Sequence, residues 1–215
     1  MERSLPNRRW LLRGAIASAS GAAGAAVPLL ARRGDKPTPA PGPAPARGPA
    51  RRRDPVDFPS AAWVPAAPPN YTRARRPAEY PVEYVVIHLT TDTFNIMIDT
   101  FQDPREALSA HYVMRSYDGH IVQCVREQDV AWHSGNWDFN TRSIGIEHEG
   151  WMDQPMYTDA MYEASAELTA SICAKYGIPV DRKHILGHVE VPLATHEDPG
   201  PNWDWRRYMK LVRAA

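Results

Sequence analysis

Tyr84-Val-Val-Ile-His-Leu89 is the stretch that predicts the centre of the fold. Its apolar run is nearly continuous and rich in β-branched residues, which is typical of a strand buried within a sheet. His88 stands at the carboxyl end of this strand. The first candidate functional side chain therefore lies at that end of the predicted sheet.

The rest of the globular part mixes short strand-like runs with helical ones. A hairpin signal, Ser-Tyr-Asp-Gly-His, joins two of the apolar runs, and Thr158 and Gly177 are placed to begin and end the clearest helix. Asn202 is a candidate cap for the last helix. This mixture predicts an α/β fold, a single domain with a central mixed β-sheet flanked by helices. The predicted strands are residues 84–89, 110–114, 121–125, 143–149 and 184–188, and the predicted helices are residues 93–101, 158–176 and 202–212.

Histidines and carboxylates gather around the predicted strand ends. His188 closes a second candidate strand, and Asp198 follows it in a rigid Asp-Pro-Gly-Pro turn. If the two strands are neighbours, His88, His188 and Asp198 meet and form a three-ligand zinc site with one position open, which is the pattern of catalytic zinc. A zinc ion held in this way lowers the pKa of a bound water to about 7 and polarises a substrate carbonyl.

Such a site also needs a base and a donor of hydrogen bonds. Glu147 and Glu149 lie two residues apart on one face of a predicted strand, and either is a candidate to move a proton from the water to a leaving nitrogen. His196, two residues before Asp198, is a candidate to stabilise negative charge on the carbonyl oxygen.

The N-terminus predicts export. Arg8-Arg9-Trp-Leu-Leu and a weakly apolar run resemble a twin-arginine signal, which we assign to residues 1–34. The run is too short and too poor in large apolar residues to favour a transmembrane helix. Residues 35–62 are rich in proline, alanine and arginine and predict a disordered linker. The remaining residues, 63–215, predict the enzyme domain.

Charge and cysteine content exclude some classes of function. Residues 1–53 carry 11 Lys/Arg and 2 Asp/Glu, so residues 54–215 carry 14 and 23 and are acidic. An acidic domain is a poor match to a phosphate backbone, and we expect no nucleic-acid partner. Cys124 and Cys173 are too few for a disulfide framework, and we expect two small buried side chains rather than a pair.

Several blocks of the sequence, in order, resemble the type-2 N-acetylmuramoyl-L-alanine amidases, which share their fold with the peptidoglycan recognition proteins. The resemblance covers about residues 63–212. It implies a zinc hydrolase that cuts the amide between N-acetylmuramic acid and the L-alanine of the stem peptide. The blocks are residues 84–88, 109–112, 118–123, 131–135, 143–147 and 187–188 with 198–201.

The resemblance also implies roles for single residues. His88, His188 and Asp198 match the zinc ligands, and Glu147, rather than Glu149, matches the catalytic glutamate. His196 matches a position where many members carry a lysine that supports the transition state. A histidine loses its charge at lower pH than a lysine, so we predict that activity falls more steeply with rising pH than in a lysine enzyme.

A substrate-side loop of the family matches Trp132 and His133. We assign both residues to substrate binding, together with His111. The expected cofactor is Zn²⁺ and the expected partner is peptidoglycan or its muropeptides, bound by an exported monomer that is extracellular or associated with the cell wall and has no stable membrane span.

Two rival functions remain. The first is a non-catalytic peptidoglycan-binding module of the same fold, which loss of zinc ligands would favour, whereas all three ligand positions and Glu147 are filled. The second is a zinc peptidase of unrelated architecture, but the sequence has no His-Glu-x-x-His helix to support it.

Overall fold

A computed structural model describes residues 56–154 and 157–215. Within these residues, a six-stranded mixed sheet and a two-stranded sheet are accompanied by four α-helices. The strands are β1 Ala62–Trp63, β2 Tyr71–Thr72, β3 Tyr84–Leu89, β4 Tyr112–Met114, β5 Ile121–Gln123, β6 Val130–Ala131, β7 Ser143–His148 and β8 Ile185–Gly187. The helices are α1 Phe94–Gln102, α2 Trp137–Arg142, α3 Asp159–Tyr176 and α4 Trp205–Ala214.

The main sheet has the order β1-β5-β4-β7-β3-β8. β3 lies between β7 and β8 and is parallel to both, and β4 and β5 form the predicted antiparallel hairpin. Three carboxyl ends therefore lie side by side at one edge of the sheet. The predicted α/β fold with a mixed sheet is confirmed.

Alternation along the strands sends side chains to two separate cores. Tyr112 and Met114 join the cluster that α3 and α4 cover, whereas Val113 joins the cluster that α1 covers. Cys173 belongs to the first cluster and Cys124 to the second, and both thiols are buried and free. The two cysteines are thus small buried side chains, as predicted.

Local capping signals explain where most helices begin. The Thr93 and Thr158 hydroxyls accept hydrogen bonds from backbone N–H groups in the first turns of α1 and α3, and Gly177 ends α3 with φ 70°. The prediction that Asn202 caps the last helix is wrong. Asp204 caps α4 by accepting from the Arg207 N–H, whereas the Asn202 amide donates to the Met152 carbonyl.

The linker boundary also needs correction. Residues 35–62 were assigned to the linker, but Asp57 already bonds to Gln123 and Lys175, and β1 begins at Ala62. The domain therefore includes residues from at least Asp57 onward. The twin-arginine signal and the rest of the linker lie outside the described residues. Among the described helices, none is long and apolar enough to cross a membrane.

Candidate metal centre and catalytic site

The three predicted metal ligands meet at the carboxyl edge of the sheet. His88 lies near the end of β3, and His188 follows β8 directly. Asp198 comes from the turn beyond, and its carbonyl oxygen accepts the Val189 N–H. All three residues are buried, with exposed fractions of 2%, 6% and 4%. Their candidate ligand atoms lie within 4.8 Å of one another.

The donor set fits a divalent cation. The Nδ1 atoms of His88 and His188 lie 3.3 Å and 3.0 Å from the two carboxylate oxygens of Asp198. The Nε2 of His188 lies 3.1 Å from the Ser134 carbonyl, to which only a protonated nitrogen can donate, so the neutral ring carries its free lone pair on Nδ1. Two ring nitrogens and a carboxylate therefore converge in one buried space, where they can share a single cation. Two imidazoles and one carboxylate oxygen are suitable zinc ligands.

Glu147 lies beside these ligands because β7 pairs with β3 in register, with Glu147 opposite His88. Its side chain is buried, and its Oε2 atom has no hydrogen-bond partner among the described residues. Burial first, and then the charge of Asp198, hold the pKa of the Glu147 carboxyl well above its usual value. A buried carboxyl oxygen with no partner is available for proton transfer.

Glu149 has different surroundings, although it lies only two residues further. Its Oε1 accepts the Phe94 N–H at the start of α1, and its Oε2 accepts the N–H and hydroxyl of Ser116. These hydrogen bonds make Glu149 a structural carboxylate. The geometry therefore favours Glu147 over Glu149 as the proton-transfer group.

A cavity of about 420 Å³ opens over this cluster. His88, His188, Asp198 and Glu147 contribute to one part of its wall, and the predicted donor His196 contributes to its rim. The His196 side chain is exposed, and its ring stacks on that of His188 with centroids 5.2 Å apart. Trp132 and His133 also line this cavity, which is large enough for part of a small-molecule substrate.

Comparison with known proteins agrees with this arrangement. A family model described as N-acetylmuramoyl-L-alanine amidase matches residues 78–201. N-acetylmuramoyl-L-alanine amidase A of Achromobacter lyticus is 35% identical over 178 residues, which cover 74% of this chain and 97% of that protein. The chain belongs to this amidase family. It is accordingly an enzyme that hydrolyses an amide in peptidoglycan material.

Two solved structures show the same amidase fold. A selenomethionine derivative of AmpD is 30% identical, with a TM-score of 0.58, and the match covers 72% of this chain and 96% of that one. AmiD from E. coli, in complex with anhydro-N-acetylmuramic acid-L-Ala-D-γ-Glu-L-Lys, is 29% identical, with a TM-score of 0.53. That match covers 65% of this chain and 61% of AmiD.

The prediction that His111 binds substrate in this amidase is wrong. His111 is completely buried and does not line the cavity. Its Nδ1 accepts the Gly145 N–H, and its Nε2 lies 2.6 Å from the Arg76 guanidinium. Burial first, and then the charge of Arg76, hold the pKa of His111 well below the usual range. His111 is therefore a neutral core histidine that bonds to β7 through Gly145.

Sequence reasoning missed the residues that order the loop before α2. The side-chain oxygen of Asn140 accepts hydrogen bonds from the His133 N–H and from the N–H and hydroxyl of Ser134. This fixes the Ser134 carbonyl that His188 contacts. Helix α2 was missed as well, although Asn136 caps it and Asp138 stands in its first turn, which together are a usable helix-start signal.

Proposed function

We propose that this amidase is zinc-dependent and hydrolyses the amide between the lactyl group of N-acetylmuramic acid and the L-alanine of the stem peptide. The observation that carries the proposal is the buried, unpartnered carboxyl of Glu147 beside three converging metal ligands in one cavity. The complex of the relative AmiD with a muramyl peptide supports this choice of substrate.

His88, His188 and Asp198 would hold the zinc ion. When bound, zinc acts as a Lewis acid that polarises the amide carbonyl and makes water a better nucleophile at neutral pH. Among the described residues, this group of candidate ligands has three members, so a bound zinc ion would keep a position for water or substrate. An open position is what distinguishes catalytic from structural zinc sites.

Glu147 would carry the proton. Its Oε2 atom has no hydrogen-bond partner among the described residues, and an unpartnered carboxylate oxygen beside the metal ligands can accept a proton from water. As the oxygen of the attacking water bonds to the carbonyl carbon, Glu147 takes a proton from that water. It then gives the proton to the amide nitrogen as the carbon–nitrogen bond breaks, and L-alanine leaves with a free amino group.

His196 and Trp132 would act on the substrate itself. The His196 ring lies at the rim of the cavity, where an N–H can donate to the carbonyl oxygen as negative charge develops. Trp132 is half-buried, and its indole N–H donates to the Thr72 hydroxyl, which leaves the ring rigidly held in the cavity wall. A held aromatic ring offers apolar area for a sugar or a peptide methyl group.

We further propose that the chain is exported and acts as a monomer on the cell wall or on fragments released from it. The Arg8-Arg9 sequence near the N-terminus and the proline-rich stretch that separates it from the enzyme domain support export.

The decisive experiment is to incubate purified full-length protein with peptidoglycan and with a soluble muramyl peptide and to measure new L-alanine amino groups. We expect release with zinc, loss of release after chelation, and recovery when zinc returns. Glu147→Gln keeps the size of the side chain but cannot accept the proton, and we expect its kcat to fall at least about 100-fold.

Two outcomes would contradict the proposal. No release by zinc-loaded wild-type protein would exclude this substrate bond. Unchanged release after chelation and in Glu147→Gln would exclude the zinc and the proton carrier. Glu190→Gln provides a matched control, because Glu190 is an exposed glutamate that contacts the Arg182 side chain and the Gly187 N–H.

A further inference from the structure

The ring of His133 lies behind a metal ligand rather than free in the cavity. Its Nδ1 atom is 2.8 Å from Nε2 of His88, and the two rings meet edge-on. Only 4% of His133 is exposed. Because one ring nitrogen of His133 contacts His88 and most of the ring is buried, little of its surface can contact a substrate.

The hydrogen bonds beyond His133 determine where its proton lies. The Ser143 hydroxyl is 2.5 Å from the Phe139 carbonyl, which can only accept, so the hydroxyl donates to it. The Ser143 oxygen must then accept the hydrogen bond from Nε2 of His133, 3.1 Å away. With its proton on Nε2, a neutral His133 has an acceptor at Nδ1.

The same assignment of donors and acceptors extends to the metal ligand His88. Because Nδ1 of His133 accepts, Nε2 of His88 must carry the proton that it donates. The neutral His88 ring then has its lone pair on Nδ1, which is the atom that faces Asp198 at 3.3 Å. The Phe139 carbonyl, Ser143 and His133 therefore specify which nitrogen of His88 is free to bind a cation.

Strand β7 has a glycine, Gly145, where the ring of His133 packs against it. A Cβ atom on Gly145 would lie 2.5 Å from Cγ of His133 and 2.7 Å from its Nδ1. Any larger residue at this position of β7 would push the ring away from His88. The close approach of the His133 ring to Gly145 thus supports the position of the ring independently of the hydrogen bonds.

We propose that His133 is a positioning residue that orients the metal ligand His88 and selects its tautomer, and that it is not a substrate-binding residue. The proposal rests on the zinc site of the proposed function. Outer hydrogen-bond partners of histidine ligands raise the basicity of the ligand and fix its ring, and their loss typically weakens metal affinity about 10-fold to 100-fold.

The test measures zinc affinity rather than turnover. Wild-type protein, His133→Ala, His133→Asn and Ser143→Ala are freed of metal and titrated with zinc against a chromophoric chelator. We expect His133→Ala to bind zinc about 10-fold to 100-fold more weakly. His133→Asn should recover part of this loss, because its amide oxygen can accept the His88 proton. Ser143→Ala should weaken binding less than His133→Ala.

Cobalt(II) gives a second readout. Its visible absorption reports the ligand geometry, so a reoriented His88 should change the spectrum of His133→Ala even at saturating cobalt. Gly145→Ala, which removes no polar group, should change the spectrum in the same direction. The melting temperature of each metal-free variant shows whether it is folded before the titration.

His148→Asn is the matched control. His148 is likewise a buried histidine, but it lies on β7 and its ring contacts the backbone carbonyl of His88 rather than the His88 ring. We expect this variant to be less stable without metal but to bind zinc with the affinity of the wild type.

The outcomes separate the two proposals. If wild-type protein binds zinc and His133→Ala binds it equally well with a raised KM, His133 contacts substrate and the positioning role is overturned. Equal weakening of zinc binding in His148→Asn and His133→Ala would also overturn it, since the effect would then be general loss of structure. Absence of zinc binding by wild-type protein would overturn the metal centre and this role together.

Discussion

At the scale of single residues, chemically identical side chains have different tasks because their partners differ. Glu147 and Glu149 are two residues apart, yet the first has a carboxyl oxygen without a partner and the second accepts three hydrogen bonds. The histidines divide in the same way. His88 and His188 converge on Asp198, His111 and His148 are part of the core, and His196 is exposed at the rim.

His196 carries a prediction, because its exposed ring contributes to the cavity lining and stacks on the candidate metal ligand His188. His196→Ala should lower kcat about 100-fold, as for loss of one transition-state donor. His196→Lys should lower it less than His196→Ala, because an ammonium group also donates hydrogen bonds. Steady-state rates measure both effects.

His184 supplies the control for this experiment. It is half-buried outside the catalytic cavity and pairs with Asp181. His184→Ala should keep the wild-type kcat. An unchanged kcat in His196→Ala would remove His196 from the transition state.

At the scale of elements, three parallel strands bring the site together. β3, β7 and β8 end at the same edge, and the register of β3 with β7 places Glu147 opposite His88. Glu149 continues from β7 and connects it to α1 and to the segment after β4 through Phe94 and Ser116. The strand therefore carries the carboxyl that we propose to move the proton and, immediately after it, a carboxyl that holds two neighbouring elements.

Glu149→Gln tests this structural role. Glutamine is neutral and has only one acceptor oxygen, so the N–H groups of Phe94 and Ser116 both lose a charged partner and one of them loses its acceptor. We expect the free energy of unfolding to fall by about 1.5–3 kcal/mol. Urea denaturation measures the change, and zinc affinity per folded molecule should be unaffected.

The same replacement at an exposed position is the comparison. Glu79 pairs with Arg75 on the surface, and Glu79→Gln should cost less than about 1 kcal/mol. Equal costs at the two positions would mean that Glu149 contributes no more than a surface ion pair.

At the scale of the whole molecule, the balance of charge changes along the chain. Basic residues outnumber acidic ones in residues 1–53, whereas acidic residues outnumber basic ones in residues 54–215, which contain the candidate metal ligands. This division is consistent with a leader that a receptor recognises and an enzyme that acts after export.

Conservative substitution of the arginine pair tests export. We expect Arg8→Lys with Arg9→Lys to leave the protein in the cytoplasm, because twin-arginine recognition requires guanidinium groups rather than charge alone. Cell fractionation followed by an amidase assay locates the protein. Arg32→Lys with Arg33→Lys changes a second arginine pair in the same region and should be exported normally. Export of the first double variant at the wild-type level would contradict the signal.

Much of the site was predictable because strand ends and ligand types are local features. The apolar run before His88 identifies β3, and the rigid turn at Asp198 marks a held carboxylate. The cap of α4 was not predictable in the same way, since Asn202 and Asp204 are both good cap residues and only the path of the chain after the turn chooses Asp204.

The sequence by itself determined where the five longest strands lie and which side chains are candidate metal ligands, because periodicity and donor chemistry are properties of short segments. It did not predict the two-residue strands β1, β2 and β6. Only the tertiary structure decided the surroundings of His111, His133 and His196. These surroundings depend on which elements pack against each ring. His111 meets Arg76, His133 fits the space above Gly145 and behind His88, and His196 meets solvent at the cavity rim.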